Sequence, residues 1–434
     1  MKVQEKMITV EQALSMVKSG DDVVTGLGAG EACRFMQELH SIAERVENVN
    51  IINCLPTHPA NYYEEKYRNA FQVEGLFYSS ELRKANNSGM ATYVPNHLRL
   101  SADRWLFQRK PNIFVGVSTL PDKHGFVSLS LSTAYEKRMM EAADLVIMEI
   151  NPNFPKTFGD AEVSVDDIDY LIEADYLPPY IPETQPNEKD KKVGAFIAGL
   201  VPDGACIQLG IGGIPNAVAD ALGTKKDLGV HTEMLTSGIM KLAKAGVITG
   251  KKKQINRGKI VAAFALGTSE LYEFMDENPS IVMMDSSWVN DPYVISRNEN
   301  QYSINTTLQV DLTGQCASES LGSRQFSGTG GQADTAIGAQ MSRNGRSILA
   351  LHSTAAIKTA DGSFKVVSKI MPQLTPGAAV SLSRNDVDII VTEYGIAELR
   401  GVSIKERVKR LIKIAHPDFR DELYKKAHEF GIIH

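Results

Sequence analysis

The chain carries one pattern twice, and that repeat limits the folds open to it. Residues 19–30 read SGDDVVTGLGAG and residues 203–214 read DGACIQLGIGGI, so Gly20, Gly26 and Gly28 fall opposite Gly204, Gly210 and Gly212. Each run follows an amphipathic stretch, ITVEQALSMVK or VGAFIAGLVP, and precedes a helical pattern, EACRFMQELHSIAERV or PNAVADALG. A second strand-like run comes next in both halves, VNIINC at 49–54 and LGVHTEM at 228–234. The runs ADLVIMEI at 143–150 and VDIIVTEY at 387–394 match near the two ends, and such mostly apolar runs suit strands buried on both faces of a parallel sheet. The pattern predicts two related open α/β domains with largely parallel sheets.

At 434 residues the chain is too long for one ordinary domain. Residues 177–192, LPPYIPETQPNEKDKK, hold four prolines and a charged tail, which break regular structure and keep the segment in water. The expected division is therefore 1–177, a linker at 178–192, and 193–434. A net charge of −6 argues against a nucleic-acid partner, which needs a basic face. No apolar run is long enough to span a membrane, and the N-terminus lacks the continuous apolar core of a signal peptide. Cys33, Cys54, Cys206 and Cys316 match neither a zinc nor a CxxC spacing, so they read as reduced thiols of a cytoplasmic protein. No Cys/His cluster suggests a metal.

Glycine-rich turns between a strand and a helix let backbone N–H groups approach a phosphate or an oxyanion, and they also serve tight packing alone. GLGAG at 26–30 and GIGGIPN at 210–216 fit that position, with Pro215 suited to a first helical turn. A dinucleotide site is the rival for the second loop. Its next strand ends in an acid, Glu233, at a suitable distance, although the third glycine of the fingerprint is missing. A third cluster, GSRQFSGTGGQAD at 322–334, crowds Gly328, Gly330 and Gly331 into one loop, a density that suggests backbone set against a ligand.

These residues resemble the acetyl-CoA hydrolase/transferase family, and within it the 4-hydroxybutyrate and butyrate CoA-transferases. The motifs that carry the resemblance are QLGIGGIPNAV at 208–218, GVHTEM at 229–234, VNDPYVI at 289–295 and INTTLQVDLTGQ at 304–315. They continue with QFSGTGGQAD at 325–334, SRNDVDIIVTEYGIAELRG at 383–401 and IAHPDFRDEL at 414–423. The first half matches more loosely, through PDKHGF at 121–126 and VSVDDID at 163–169; the family pattern there reads closer to VSEID, a departure. The resemblance implies a catalytic glutamate at Glu233, amide donors at about Ile211 and Gly331, and a polar contact at Asn290. It sets Gly210, Ile211, Gly212, Gly213, Asn216, Asn290, Gly328, Gly330, Gly331 and Gln332 against CoA. It also implies an active site in the interdomain cleft, a homodimer or dimer of dimers, and acyl-CoA and a short carboxylic acid as substrates, with no tightly bound cofactor.

Glu233 ends an apolar strand run, the edge where open α/β sheets bind ligands. A carboxylate there can act as a covalent nucleophile on a thioester. Glu319 is its strongest rival, whereas Glu149, Glu393 and Glu398 read as structural, the last two pairing with Arg400 or holding buried backbone. His58, His97 and His124 are candidate acyl-pocket residues. Lys251, Lys252, Lys253, Arg257 and Arg384 are candidate partners for the charges of CoA. Two other activities stay open: an acyl-CoA hydrolase using the same glutamate, and a non-catalytic CoA-binding protein.

Overall fold

The computed structural model describes residues 3–359 and 361–434, in two compact units. The first contains the chain up to Pro182 together with Thr232–Ser237 and Lys259–Asn290; the second contains Glu183–His231, Gly238–Gly258 and Asp291–His434. Glu233 and Asn290 thus belong to the first unit, although they lie in the second half of the sequence.

The apolar runs of the first unit form a seven-stranded parallel sheet in the order Ala91–Tyr93, Phe71–Phe77, Val49–Cys54, Asp22–Thr25, Ile113–Ser118, Leu145–Ile150, Tyr170–Glu173. Strand Ile113–Ser118 is buried along its whole length, as a run covered on both faces requires. The helix Val10–Ser15 opens with a reciprocal cap between Thr9 and Gln12, and its Val10, Ala13 and Leu14 join a core with Phe35, Met36, Val49, Ile51 and Phe71.

In the second unit six strands run in the order Gly229–His231, Cys206–Leu209, Gln301–Thr306, Arg346–Ala350, Ile389–Thr392, Gly395–Glu398, parallel except for the last. A core of Val310, Leu349, Ile390, Leu399, Val408 and Leu411 packs here. The repeat is visible in the topology. Asp22–Thr25 sits between Val49–Cys54 and Ile113–Ser118, as Cys206–Leu209 sits between Gly229–His231 and Gln301–Thr306. The match between residues 143–150 and 387–394 is displaced by one strand. Leu145–Ile150 is two places from Asp22–Thr25, while Ile389–Thr392 is three places from Cys206–Leu209. Burial on both faces produces similar apolar runs at both positions, so composition alone does not separate them. The charged tail of the proline-rich stretch is also regular: Asn187 accepts from the N–H groups of Lys189 and Asp190 and starts a helix at Glu188. Among the described residues, no helix is long and apolar enough to cross a membrane.

Glu149 is structural, as expected. Its carboxylate accepts from the N–H of Phe35 at 2.6 Å, the N–H of Arg34 at 3.3 Å and the Tyr176 hydroxyl at 2.6 Å, capping the helix Cys33–Glu38. Burial pushes this carboxyl up to about 7 against the hydrogen bonds that favour its charge. A folded-state value above the unfolded one means the folded protein binds the proton more tightly. That stabilisation is complete below about pH 4.5 and lost as pH rises through about 7, amounting to about 3 kcal/mol. Chemical denaturation between pH 4.5 and 8 should show this slope in the wild type and a shallower one in Glu149→Gln; equal slopes would contradict the assignment.

Candidate active site

Glu233 is held from both sides of its backbone. Its carbonyl accepts the N–H groups of Ala263 and Phe264, both at 2.9 Å, and the Thr232 N–H before it donates to Val261 at 3.0 Å. Met234–Leu235 then pairs in parallel with Phe264–Ala265. The half-buried side chain accepts a 2.7 Å hydrogen bond at Oε2 from Nδ2 of Asn290. Asn290 is itself fully buried and follows the short helix Ser286–Val289, its N–H donating to Ser286 at 2.9 Å. Asp285 caps that helix at the Ser287 N–H and receives Arg138 at 3.0 Å, and the Ser286 hydroxyl donates to the Ala134 carbonyl. Asn290 Oδ1 is buried without a hydrogen-bond partner among the described residues. An ionised carboxylate only accepts, so the donating face of the amide is the one that must meet it.

Further polar groups of the first unit were not among the site residues expected from the sequence. Glu136 is buried and accepts from the Leu27 N–H at 2.8 Å, the Tyr135 N–H at 2.9 Å and the Ser132 hydroxyl at 2.6 Å, and burial raises its carboxyl. Glu31 accepts from Asn53 Nδ2 at 2.9 Å and the Thr57 N–H at 3.4 Å, and burial pushes it up to about 7. Asn53 Oδ1 is buried and has no hydrogen-bond partner among the described residues. The Cys54 thiol is pushed well above its ordinary value by burial and then by the charges of Glu136 and Glu233. One signal was available: VNIINC ends with two polarisable residues at the carboxyl end of an apolar strand.

Two of the three glycine loops lie in the second unit, at the carboxyl edge of its sheet, whereas GLGAG at 26–30 lies in the first. Gly210–Gly213 follow the strand Cys206–Leu209; Gly212 has φ +109°, a conformation suited to glycine, and precedes the helix Gly213–Ala221. Ile211 is exposed. Gly330, at φ +57°, and Gly331 lead into the helix Gln332–Met341. Gln332 was expected against CoA, but it is buried: its Nε2 donates to Thr306 at 2.8 Å, and its Oε1 accepts from the Ser318 hydroxyl at 2.7 Å. It ties this loop to the end of the strand Gln301–Thr306. Asn216 Nδ2 is likewise engaged, donating to Thr184 at 2.9 Å. Gly328 lies in the same loop and its carbonyl accepts from the Ser327 hydroxyl.

The competing residues have other partners. Glu319 is buried and accepts from the hydroxyls of Ser381 at 2.7 Å and of Thr329. Glu393 accepts from the N–H and hydroxyl of Ser353. Of the two structural roles expected for Glu393 and Glu398, Glu393 holds the buried N–H of Ser353, while Arg400 lies 3.6 Å from Asp388 and Glu398 pairs with Arg346. The Lys253 amine is buried and donates to the Val230 carbonyl, and Arg257 donates to the carbonyl of Lys251. His124 is exposed on a turn closed by Asp122, whereas His58 is partly buried beside Thr57 and its ring is lowered by burial.

Residues 2–182 match the acetyl-CoA hydrolase/transferase N-terminal domain and residues 267–427 the C-terminal domain. The succinyl-CoA:cyclohexane-1-carboxylate CoA transferase of Geobacter metallireducens is 41% identical over 99% of this chain and 97% of its own. The 4-hydroxybutyrate coenzyme A transferase of Clostridium kluyveri is 40% identical over 97% of this chain and 96% of its own. The crystal structure of RipA from Yersinia pestis superposes with a TM-score of 0.91 at 32% identity and covers 100% of both chains.

The contact between Asn290 and Glu233 makes a prediction independent of turnover. In Asn290→Asp two carboxylates face each other, and one must take up a proton. The melting temperature of this variant relative to wild type should fall as pH rises from about 5 to about 8; a difference constant with pH would contradict the pairing.

Proposed function

The chain belongs to the acetyl-CoA hydrolase/transferase family and is a CoA-transferase; we propose that it moves CoA between a short-chain acyl-CoA, such as acetyl-CoA, butyryl-CoA or 4-hydroxybutyryl-CoA, and a carboxylate acceptor, with Glu233 as nucleophile. The observation that carries this reading is the half-buried Glu233 carboxylate, its backbone pinned on both sides and one oxygen held 2.7 Å from Asn290.

The Glu233 carboxylate attacks the thioester carbonyl through the oxygen opposite the one bound by Asn290, and collapse of the tetrahedral oxyanion expels CoA thiolate and leaves a mixed anhydride. The thiolate attacks the glutamyl carbonyl carbon, which releases the first carboxylate and forms a glutamyl-CoA thioester. The acceptor carboxylate attacks that carbon, CoA leaves as thiolate, and thiolate attack on the new acyl carbon frees Glu233 with the product acyl-CoA. Each step exchanges one activated acyl derivative for another, so the thioester's reactivity is conserved, and no net proton is transferred. When the glutamyl carbon becomes tetrahedral, the oxygen already bonded to Asn290 takes the negative charge, a contribution of about 3 kcal/mol for one donor. The N–H groups of Ile211 and Gly331 are the proposed donors to the oxyanion of the substrate, and the glycine loops the proposed contacts to CoA. The setting is a cytoplasmic homodimer or dimer of dimers.

The test follows CoA transfer from acetyl-CoA to butyrate alongside free-thiol release. Glu233→Gln should lower transfer by about three orders of magnitude or more. Asn290→Ala should lower kcat by about a hundredfold or more with little change in KM. Full activity in Glu233→Gln refutes the nucleophile, and rapid thiol release without butyrate points to hydrolysis instead.

A further inference from the structure

A cleft of about 170 Å³ opens in the second unit between Ile214, Thr306, Thr307, Ser318, His352 and Lys369. It stands at the carboxyl edge of the sheet: Thr306 ends the strand Gln301–Thr306, and His352 lies just beyond the strand Arg346–Ala350. Open parallel sheets take their ligands at this edge. Ile214 belongs to the first turn of the helix Gly213–Ala221, whose leading N–H groups have no intrahelical acceptor.

The charges around the cleft are unequally matched. His352 Nε2 is 2.7 Å from Asp190, and Lys189 is 3.5 Å from Glu393, whose carboxylate also receives the N–H and hydroxyl of Ser353. Lys369 is fixed through its backbone, with its N–H on Ser353 and its carbonyl accepting from Val310. Its amine makes no hydrogen bond or ion pair among the described residues, and the charge of Glu393 reaches it only at longer range. Burial pushes the amine down to about 8, as expected for a cation drawn out of water without a direct counter-ion. A cation in that state gains more from an incoming anion than a solvated lysine does.

We infer that this cleft is an anion site, in which Lys369 and the first turn of the helix Gly213–Ala221 hold an acidic oxygen group of the substrate. That group is either a phosphate of the nucleotide end of CoA or the far carboxylate of a dicarboxylic acceptor. The choice of these two sources rests on the proposed transferase function.

Calorimetric titration of the full chain, wild type and Lys369→Met, with CoA, pantetheine, succinate and butyrate tests the site without turnover. If the site holds phosphate, Lys369→Met binds CoA about tenfold more weakly and pantetheine unchanged. If it holds carboxylate, succinate is weakened by about the same factor and butyrate is not. Lys369→Arg keeps the charge and should retain most of the affinity, which separates loss of charge from loss of fold. Equal affinities of wild type and Lys369→Met for all four compounds overturn the site, as does a wild type that binds none of them. A wild type that binds CoA through Lys369 but transfers none would instead sink the transferase reading and leave the anion site standing.

Discussion

The hydrogen bond from Asn290 to Glu233 is the contact on which the chemistry depends. A free glutamate side chain samples many rotamers, and a nucleophile gains from losing that freedom before substrate arrives. Here the restriction comes from residues far apart in sequence. Ala263 and Phe264 hold the Glu233 carbonyl, and the segment Asp285–Asn290, anchored by Arg138 and Ala134, places the amide. Asn290 engages one carboxylate oxygen, so in the proposed reaction the same donor that orients the ground state meets the charge that develops on the glutamyl carbon.

The first unit holds its loops with three buried carboxyls, Glu31, Glu136 and Glu149. Glu136 holds the backbone at Leu27, Glu31 links the following turn to Asn53, and Glu149 caps the helix at Arg34 and Phe35. Each carboxyl replaces the water that the loop's polar groups have lost, and each carries a desolvation cost that raises its proton affinity. Asn53 Oδ1 and Asn290 Oδ1, unpartnered among the described residues, are acceptors of the same unit with bonding capacity in reserve. In the second unit the arrangement differs: glycine at positions 212 and 330 turns the backbone, and Gln332 and Asn216 lash the loops down.

Much of this was legible in the chain. Twofold glycine spacing and apolar runs report directly on strand burial and strand–helix turns, so the α/β class and the place of both loops followed from local pattern. What local pattern does not carry is the partner across space. Residues 143–150 and 387–394 look alike because both are buried strands, yet they occupy different places in their sheets. Gln332 has the composition of a ligand-facing loop residue but turns inward to Thr306, and Lys253, in a basic run, is buried on a carbonyl. Glu31 is tied to Asn53 across 22 positions, a separation no local pattern reports. Glu233 was singled out by the motifs around it; spacing alone also allowed a ribose contact, and its hydrogen bond to Asn290 is a feature only the folded chain supplies.

The most direct measurement is covalent. Wild-type protein incubated with acyl-CoA, reduced with borohydride, digested and read by mass spectrometry should show one new modification, a reduced side chain at Glu233, that requires both acyl-CoA and reductant. The same modification at Glu319 or another acid, or an unchanged Glu233 peptide from protein that is actively transferring CoA, would contradict the account.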